Sequence, residues 1–204
     1  MLIPQLISDT TAVTSFIANS FFSNNLHEVV PGKFYRSAEM KVSEMVKVAK
    51  ANGIKTVVDL RLSNEEVDSE GRSEEQALKD AGISYRHIPF NSGRDNQLPR
   101  VKELLTAYSE IEQPILVHCS SGTHRAGLAS AIWLLEQENK NIDAANEQFS
   151  PKYGFFQRER DLKALYEGRP TLDAIFWRYK DANAKTPVRF RDWLEMRLAE
   201  LTGK

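Results

Sequence analysis

The sequence predicts an α/β fold: a mostly parallel central sheet of four or five strands flanked by helices, with a helical C-terminal extension. Three observations carry this. Over residues 33–119, short runs rich in β-branched and aromatic residues alternate with segments whose apolar residues recur at helical spacing. From about residue 124 the pattern turns helical and stays so. With 204 residues, 41% of them hydrophobic, the chain is long enough for one well-packed domain and too short for three.

The elements follow in order. "KFYRSA" (33–38) reads as the first strand and leads into a helix at 42–53, "VSEMVKVAKANG", closed by a glycine of the kind that often follows a helix. "IKTVVDLR" (54–61) is the second strand, and the helix "SEEQALKDAG" (73–82) again ends in Gly. "ISYRHIPF" (83–90), the helix "LPRVKELLTAYSEIE" (98–112) and "PILVHC" (114–119) complete a β-α-β-α-β-α-β series. Crossovers of this type make neighbouring strands parallel, cover the sheet with helices, and place functional loops at the carboxyl ends of the strands. The next segment, "HRAGLASAIWLLEQEN", is apolar on most faces and is expected to be a central buried helix. "IDAANEQF", "RDLKALYEG", "TLDAIFWRYKDA" and "RFRDWLEMRLAELTG" follow as amphipathic helices. No repeat or linker divides the chain, and "EGRPT" (167–171) reads as a turn. Residues 1–204 are therefore expected to form a single domain, with a core over about 30–150 and a helical extension over 151–204 packed on it. The aromatics Phe149, Tyr153, Phe155, Phe156, Phe176, Trp177, Tyr179 and Trp193 supply the apolar area for that packing.

Composition narrows the function classes. A net charge of -1 gives no overall attraction to nucleic acid. No stretch approaches the roughly 20 apolar residues of a membrane span, and residues 1–22 lack the Lys or Arg that would begin a signal peptide, so a cytoplasmic location is expected. The single cysteine, Cys119, cannot form an internal disulfide, which agrees with a reducing compartment.

That cysteine stands in "HCSSGTHRAG" (118–127), directly after the apolar run Pro114, Ile115, Leu116, Val117. A strand ending at Cys119, a loop containing Gly122 and a helix starting near Arg125 aim backbone N–H groups and the helix dipole at one point beside the sulfur. Such a point binds anions, and the same field favours a thiolate over a thiol. Arg125 adds a planar fork of donors able to hold two phosphate oxygens through a change of charge, which a lysine does not offer. Taken alone, a cysteine at a strand end is usually inert core. An inert cysteine, however, gives no reason for a polar, glycine-containing loop and an arginine at a helix start.

The arrangement His118-Cys119-"SSGTH"-Arg125 resembles the signature of the cysteine-dependent protein tyrosine phosphatases, and within them the small dual-specificity type. "FYRSA", "GIKTVVDLR" and "YRHIPF" stand in their expected order, so the resemblance covers about residues 30–150. It implies a phosphoric monoester hydrolase with Cys119 as nucleophile and a phosphocysteine intermediate. Ser120, Ser121, Gly122, Thr123, His124 and Arg125 would bind the phosphate, and His118 would support the loop, although a strand-end histidine satisfied structurally fits His118 equally well. It implies no cofactor and no metal. Family members commonly place Ser or Thr directly after the arginine, where a hydroxyl helps the thiolate leave; this chain has Ala126.

Ester cleavage also needs a proton donor for the leaving oxygen and a base for the second step. The resemblance puts an aspartate on a neighbouring loop, and Asp95 is the only carboxylate in "FNSGRDNQLP". The same residue is also consistent with a solvated Asp-Asn turn. Asp59, next to Arg61, is the second candidate but suits a structural ion pair; Glu103, on a helix, suits solvent. The loop contains no lysine, which favours phosphoproteins or other singly phosphorylated esters over highly phosphorylated inositols. Arg36, Arg61, Arg94 and Arg100 could still converge on the pocket, and "GTHR" is similar to phosphatases acting on inositol pyrophosphates, which remain the alternative. A binding module that holds phosphate without turnover is a further alternative. A sulfurtransferase fits less well, because rhodanese-type loops are shorter between Cys and Arg.

Overall fold

The computed structural model describes residues 24–63, 66–91, 97–156 and 172–203. Five strands form one sheet: β1 (His27–Val30), β2 (Phe34–Ala38), β3 (Thr56–Asp59), β4 (Ser84–His87) and β5 (Ile115–Cys119), in the order β1-β2-β5-β3-β4. The β2, β5, β3 and β4 pairings are parallel, as the crossover pattern requires. The added strand, β1, pairs antiparallel with β2 through a tight turn and covers that edge. It was not anticipated, because "HEVV" is only four residues long and carries a charge.

The helices among the described residues are α1 (Val42–Ala51), α2 (Glu74–Asp80), α3 (Leu98–Glu110), α4 (His124–Glu136), α5 (Ile142–Asn146), α6 (Ala174–Lys185) and α7 (Phe190–Thr202). Two single 3₁₀ turns follow α5. The helix expected at 160–168 lies outside the described residues, as does the turn at 167–171. Local chemistry explains several ends: Ser73 accepts the Gln76 N–H to cap α2, and Asn141 accepts the Ala144 N–H to cap α5. None of the described helices is long and apolar enough to cross a membrane.

The sheet is apolar on both faces. Along β5, Ile115, Val117 and Cys119 face a large cluster, whereas Leu116 faces a smaller one; this is the two-residue alternation of a strand. The smaller cluster is Tyr35, Val57 and Leu116 against Met45 and Ala49 of α1 and Leu78 of α2. The larger centres on Trp133 of α4, fully buried with its ring 4.8 Å from Phe34 and 5.0 Å from Tyr108. Truncating such a side chain to Ala costs about 3–5 kcal/mol. The same cluster continues without a break into Phe149, Phe155, Phe176, Tyr179, Phe190 and Trp193 of the C-terminal segment.

Candidate active site

Cys119 ends β5 on the carboxyl edge of the sheet and is 1% exposed. The chain then turns through Ser120–Thr123 into α4. Gly122 makes this possible: its φ is +67°, and a Cβ there would stand 2.6 Å from the Ala38 nitrogen and 2.8 Å from the Ser37 carbonyl oxygen. The loop therefore lies directly on the backbone at the end of β2, in a conformation that a side chain would strain.

Four successive loop carbonyls are held on the protein side. The Ser120 oxygen accepts from the Glu39 N–H (3.3 Å) and the Ser121 oxygen from Asn25 Nδ2 (3.0 Å). The Gly122 and Thr123 oxygens accept from Arg36 Nη2, at 2.7 and 3.1 Å. A trans peptide sets each N–H opposite the preceding C=O, so these contacts turn the N–H groups of Ser121, Gly122, Thr123 and His124 the other way. None of those N–H groups finds an acceptor among the described residues. A ring of unspent donors at a helix N-terminus is an anion cradle.

Arg36 is the strut behind this cradle. It is fully buried on β2, and its Nη1 also donates to the Gln148 backbone oxygen (3.0 Å) and side-chain oxygen (2.9 Å). Its guanidinium lies 4.3 Å from the centre of the Tyr153 ring. Burial lowers Arg36 to about 10, against the opposing pull of Tyr153 and Cys119, so it stays charged at neutral pH. The expectation that Arg36 could converge on the pocket is thus corrected: it holds the loop from beneath. The reason is the sequence position, since an arginine facing inward from a central strand needs partners on its own side of the sheet.

Arg125, in the first turn of α4, donates from Nη2 to Ser120 Oγ (3.0 Å) and from Nη1 to the Leu60 carbonyl (3.3 Å). These contacts stretch the guanidinium across the mouth of the loop. Arg61 does not join it. Its Nη2 bonds Asp59 Oδ2 (2.9 Å) and Glu74 Oε2 (2.5 Å), and its Nη1 reaches Glu39 (3.3 Å). Burial would raise the Asp59 carboxyl, but hydrogen bonding from Arg61 and the positive field of His118 and Arg61 outweigh it and hold Asp59 below its ordinary value. Asp59 is therefore a charged structural partner, unsuited to release a proton near neutral pH. Arg100 likewise pairs with Glu103 at 2.6 Å on the exposed face of α3.

His118 is fully buried, opposite Asp59 in the β3–β5 register and 2.8 Å by its Nε2 from Glu74 Oε1, although without hydrogen-bond alignment. Strand alternation turns its ring away from the Cys119 face and into the Asp59–Arg61–Glu74 group, so it anchors the strand that carries the cysteine. Ligand atoms of Asp59, Glu74 and His118 lie within 4.8 Å of one another, a spacing that a metal could bridge. The Arg61 guanidinium already supplies positive charge to both carboxylates there.

Asp95 and Arg94 lie outside the described residues; on either side, the Asn91 N–H donates to Gln97 Oε1 (3.2 Å). Ser120 is exposed and engaged by Arg125, the Thr123 hydroxyl donates to the Ser121 oxygen (3.3 Å), and Ala126 is fully buried. His124 contacts a partner from far along the chain: its Nδ1 is 3.2 Å from Asp173 Oδ1, and its ring is 5.0 Å from that of Phe155. The sequence reading missed Asn25, Gln148 and Asp173. Each lies far from the loop in sequence and belongs to no local pattern.

The family described as "Beta-lactamase hydrolase-like protein, phosphatase-like domain" matches residues 28–139, from β1 to just past α4. No functionally curated protein matches the chain. Among solved structures, TpbA of P. aeruginosa is 25% identical, with a TM-score of 0.51 over 74% of this chain and 88% of its own. The core catalytic domain of the PP-IP phosphatase SIW14 from S. cerevisiae is 21% identical, with a TM-score of 0.50 over 81% and 96% of the two chains. A putative phosphatase (DUF442) from Shewanella putrefaciens is 20% identical, with a TM-score of 0.51 over 78% and 98%. The latter two likenesses speak to the fold. The chain belongs to the beta-lactamase hydrolase-like, phosphatase-like domain family, within the cysteine-dependent protein tyrosine phosphatase superfamily.

Proposed function

We propose that this phosphatase acts by the dual-specificity route, hydrolysing phosphate monoesters through a phosphocysteine on Cys119, with phosphotyrosine, phosphoserine or phosphothreonine proteins as substrates. The observation that carries the reading is the set of four loop carbonyls, Ser120 to Thr123, engaged by Glu39, Asn25 and Arg36, which turns the four following N–H groups to the opposite side of the loop after Cys119. In the first step the Cys119 thiolate attacks phosphorus, the ester P–O bond breaks, and the leaving oxygen takes a proton from an acid, for which Asp95 is the candidate. In the second, water loses a proton to the same group and attacks phosphorus; the S–P bond breaks, returning the thiolate and inorganic phosphate. The N–H cradle and the Arg125 fork hold the three non-bridging oxygens through both steps, as donors fixed in advance.

The charge inventory supports a singly phosphorylated substrate. Of the arginines that could converge there, Arg36 and Arg61 are spent beneath the loop and on carboxylates, Arg100 pairs with Glu103, and Arg94 lies outside the described residues, while Arg125 bonds Ser120 at the mouth of the loop. A reducing compartment protects a thiol nucleophile from mixed disulfides, which favours the cytoplasm as the site of action. The test is release of phosphate from p-nitrophenyl phosphate, phosphotyrosyl peptide and an inositol pyrophosphate by wild type, Cys119→Ser and Arg125→Lys. Wild type is expected to cleave the first two, and both variants to lose nearly all activity. Preference for the inositol pyrophosphate would overturn the substrate assignment, and an active Cys119→Ser the mechanism. Tight vanadate binding without turnover would make the protein a binding module.

A further inference from the structure

Asp173 occupies the N-cap position of α6, where an aspartate side chain ordinarily accepts the free N–H groups of the first turn. Here it makes no capping bond. Its carboxylate is only 4% exposed and is turned instead to the signature loop, with Oδ1 3.2 Å from His124 Nδ1. A buried carboxylate left without a partner is costly, and among the described residues this contact is the side-chain partner that meets it. A carboxylate only accepts, which puts the proton on Nδ1. The imidazole is 39% exposed, while the Asp173 side it faces is buried, so its open edge is the one bearing Nε2. That nitrogen has no partner among the described residues. Phe155 packs on the ring at 5.0 Å and limits its rotation. His124 itself is the residue before Arg125 and contributes one of the four cradle N–H groups.

Resting on the phosphatase reading above, we propose that Asp173 is a positioning residue of the active site. It fixes the His124 imidazole so that Nε2 is presented to the substrate's phosphoryl or ester oxygens, which makes the C-terminal segment a working part of a site otherwise built on the sheet. Fixing one ring nitrogen to define what the other does is the usual service of a carboxylate to a histidine.

A double-mutant cycle tests this with kcat/KM for p-nitrophenyl phosphate and the affinity for orthovanadate, on folded full-length protein. Asp173→Ala is expected to lower both by about tenfold, the scale of a lost hydrogen bond to a charged group. In a His124→Ala background the same change is expected to cost nothing further. Asp173→Asn, whose Oδ1 still accepts from Nδ1, is expected to recover most of the loss. An equal loss from Asp173→Ala with and without His124 would reduce Asp173 to a support of the fold and overturn the proposal. So would no loss at all. If Asp173→Ala does not fold, the Asn variant and the imidazole nitrogen shifts of His124 decide: wild type should carry its proton on Nδ1, and a proton on Nε2 would contradict the assignment. A wild type without turnover would sink the phosphatase reading, while the vanadate arm would still read the pair.

Discussion

Gly122 shows how closely the chemistry depends on single residues. Its positive φ and the 2.6 Å that a Cβ would leave to the Ala38 nitrogen mean that the loop keeps its shape only without a side chain there. Gly122→Ala is therefore expected to push the loop off β2 and splay the four donors. The left-handed conformation costs about 1–2 kcal/mol for an alanine, before any clash is counted. Vanadate titration beside thermal unfolding checks this: affinity should fall by more than tenfold while the protein remains folded, and unchanged affinity would mean that the cradle is not formed by this backbone. Cys119 and Arg125 could be singled out in the sequence because the cysteine and the arginine lie six residues apart on one loop, where spacing alone sets geometry. Arg36, Asn25, Gln148 and Asp173 could not, because they meet the loop only through folding. Arg36 still left a trace, as the single charge inside the strand "FYRSA".

At the scale of elements, the short antiparallel β1 does more than cover an edge. His27, at its start, lies with Nε2 2.8 Å from Asn25 Oδ1; as a neutral donor it orients the amide whose nitrogen bonds the Ser121 oxygen (3.0 Å) and the Tyr153 oxygen (3.1 Å). Burial first, then the charges of Arg36 and Lys152, lower His27 to about 4 from 6.5. The folded protein thus keeps His27 neutral where the unfolded chain takes up a proton. Stability from this residue is fully present above pH 6.5 and is lost as pH falls from 6.5 toward 4. Because His27 is only half-buried, solvent screening limits the effect to about 1–2 kcal/mol. Denaturant unfolding across that window should show wild type losing more stability on acidification than His27→Gln. Equal losses would place the proton uptake elsewhere. The parallel strands and their helices were legible because each carries its own periodicity and end signals. β1 was not, since four residues with one charge are held by pairing and turn geometry more than by an apolar face.

At the scale of the whole molecule, the parallel order β2-β5-β3-β4 brings the ends of distant strands to one edge, and the C-terminal helices join the larger core cluster, with α7 packed on α3 and α4. The fold class could be read from alternating patterns, which are local. How Gln148, Tyr153 and Asp173 brace the loop could not, because amphipathic helices show that they pack without showing where. In the proposed mechanism Cys119, held in a cradle braced from both ends of the chain, carries the phosphoryl group between the two steps. The direct measurement is rapid mixing with excess p-nitrophenyl phosphate, acid quench, and mass analysis of the Cys119 peptide. A burst of p-nitrophenol equal to the enzyme present is expected, followed by slower turnover because Ala126 lacks the hydroxyl that assists thiolate departure. One phosphoryl group should be found on Cys119 during that phase. Steady hydrolysis with no burst, no phosphoryl group on Cys119, and undiminished rates in Cys119→Ser would contradict it.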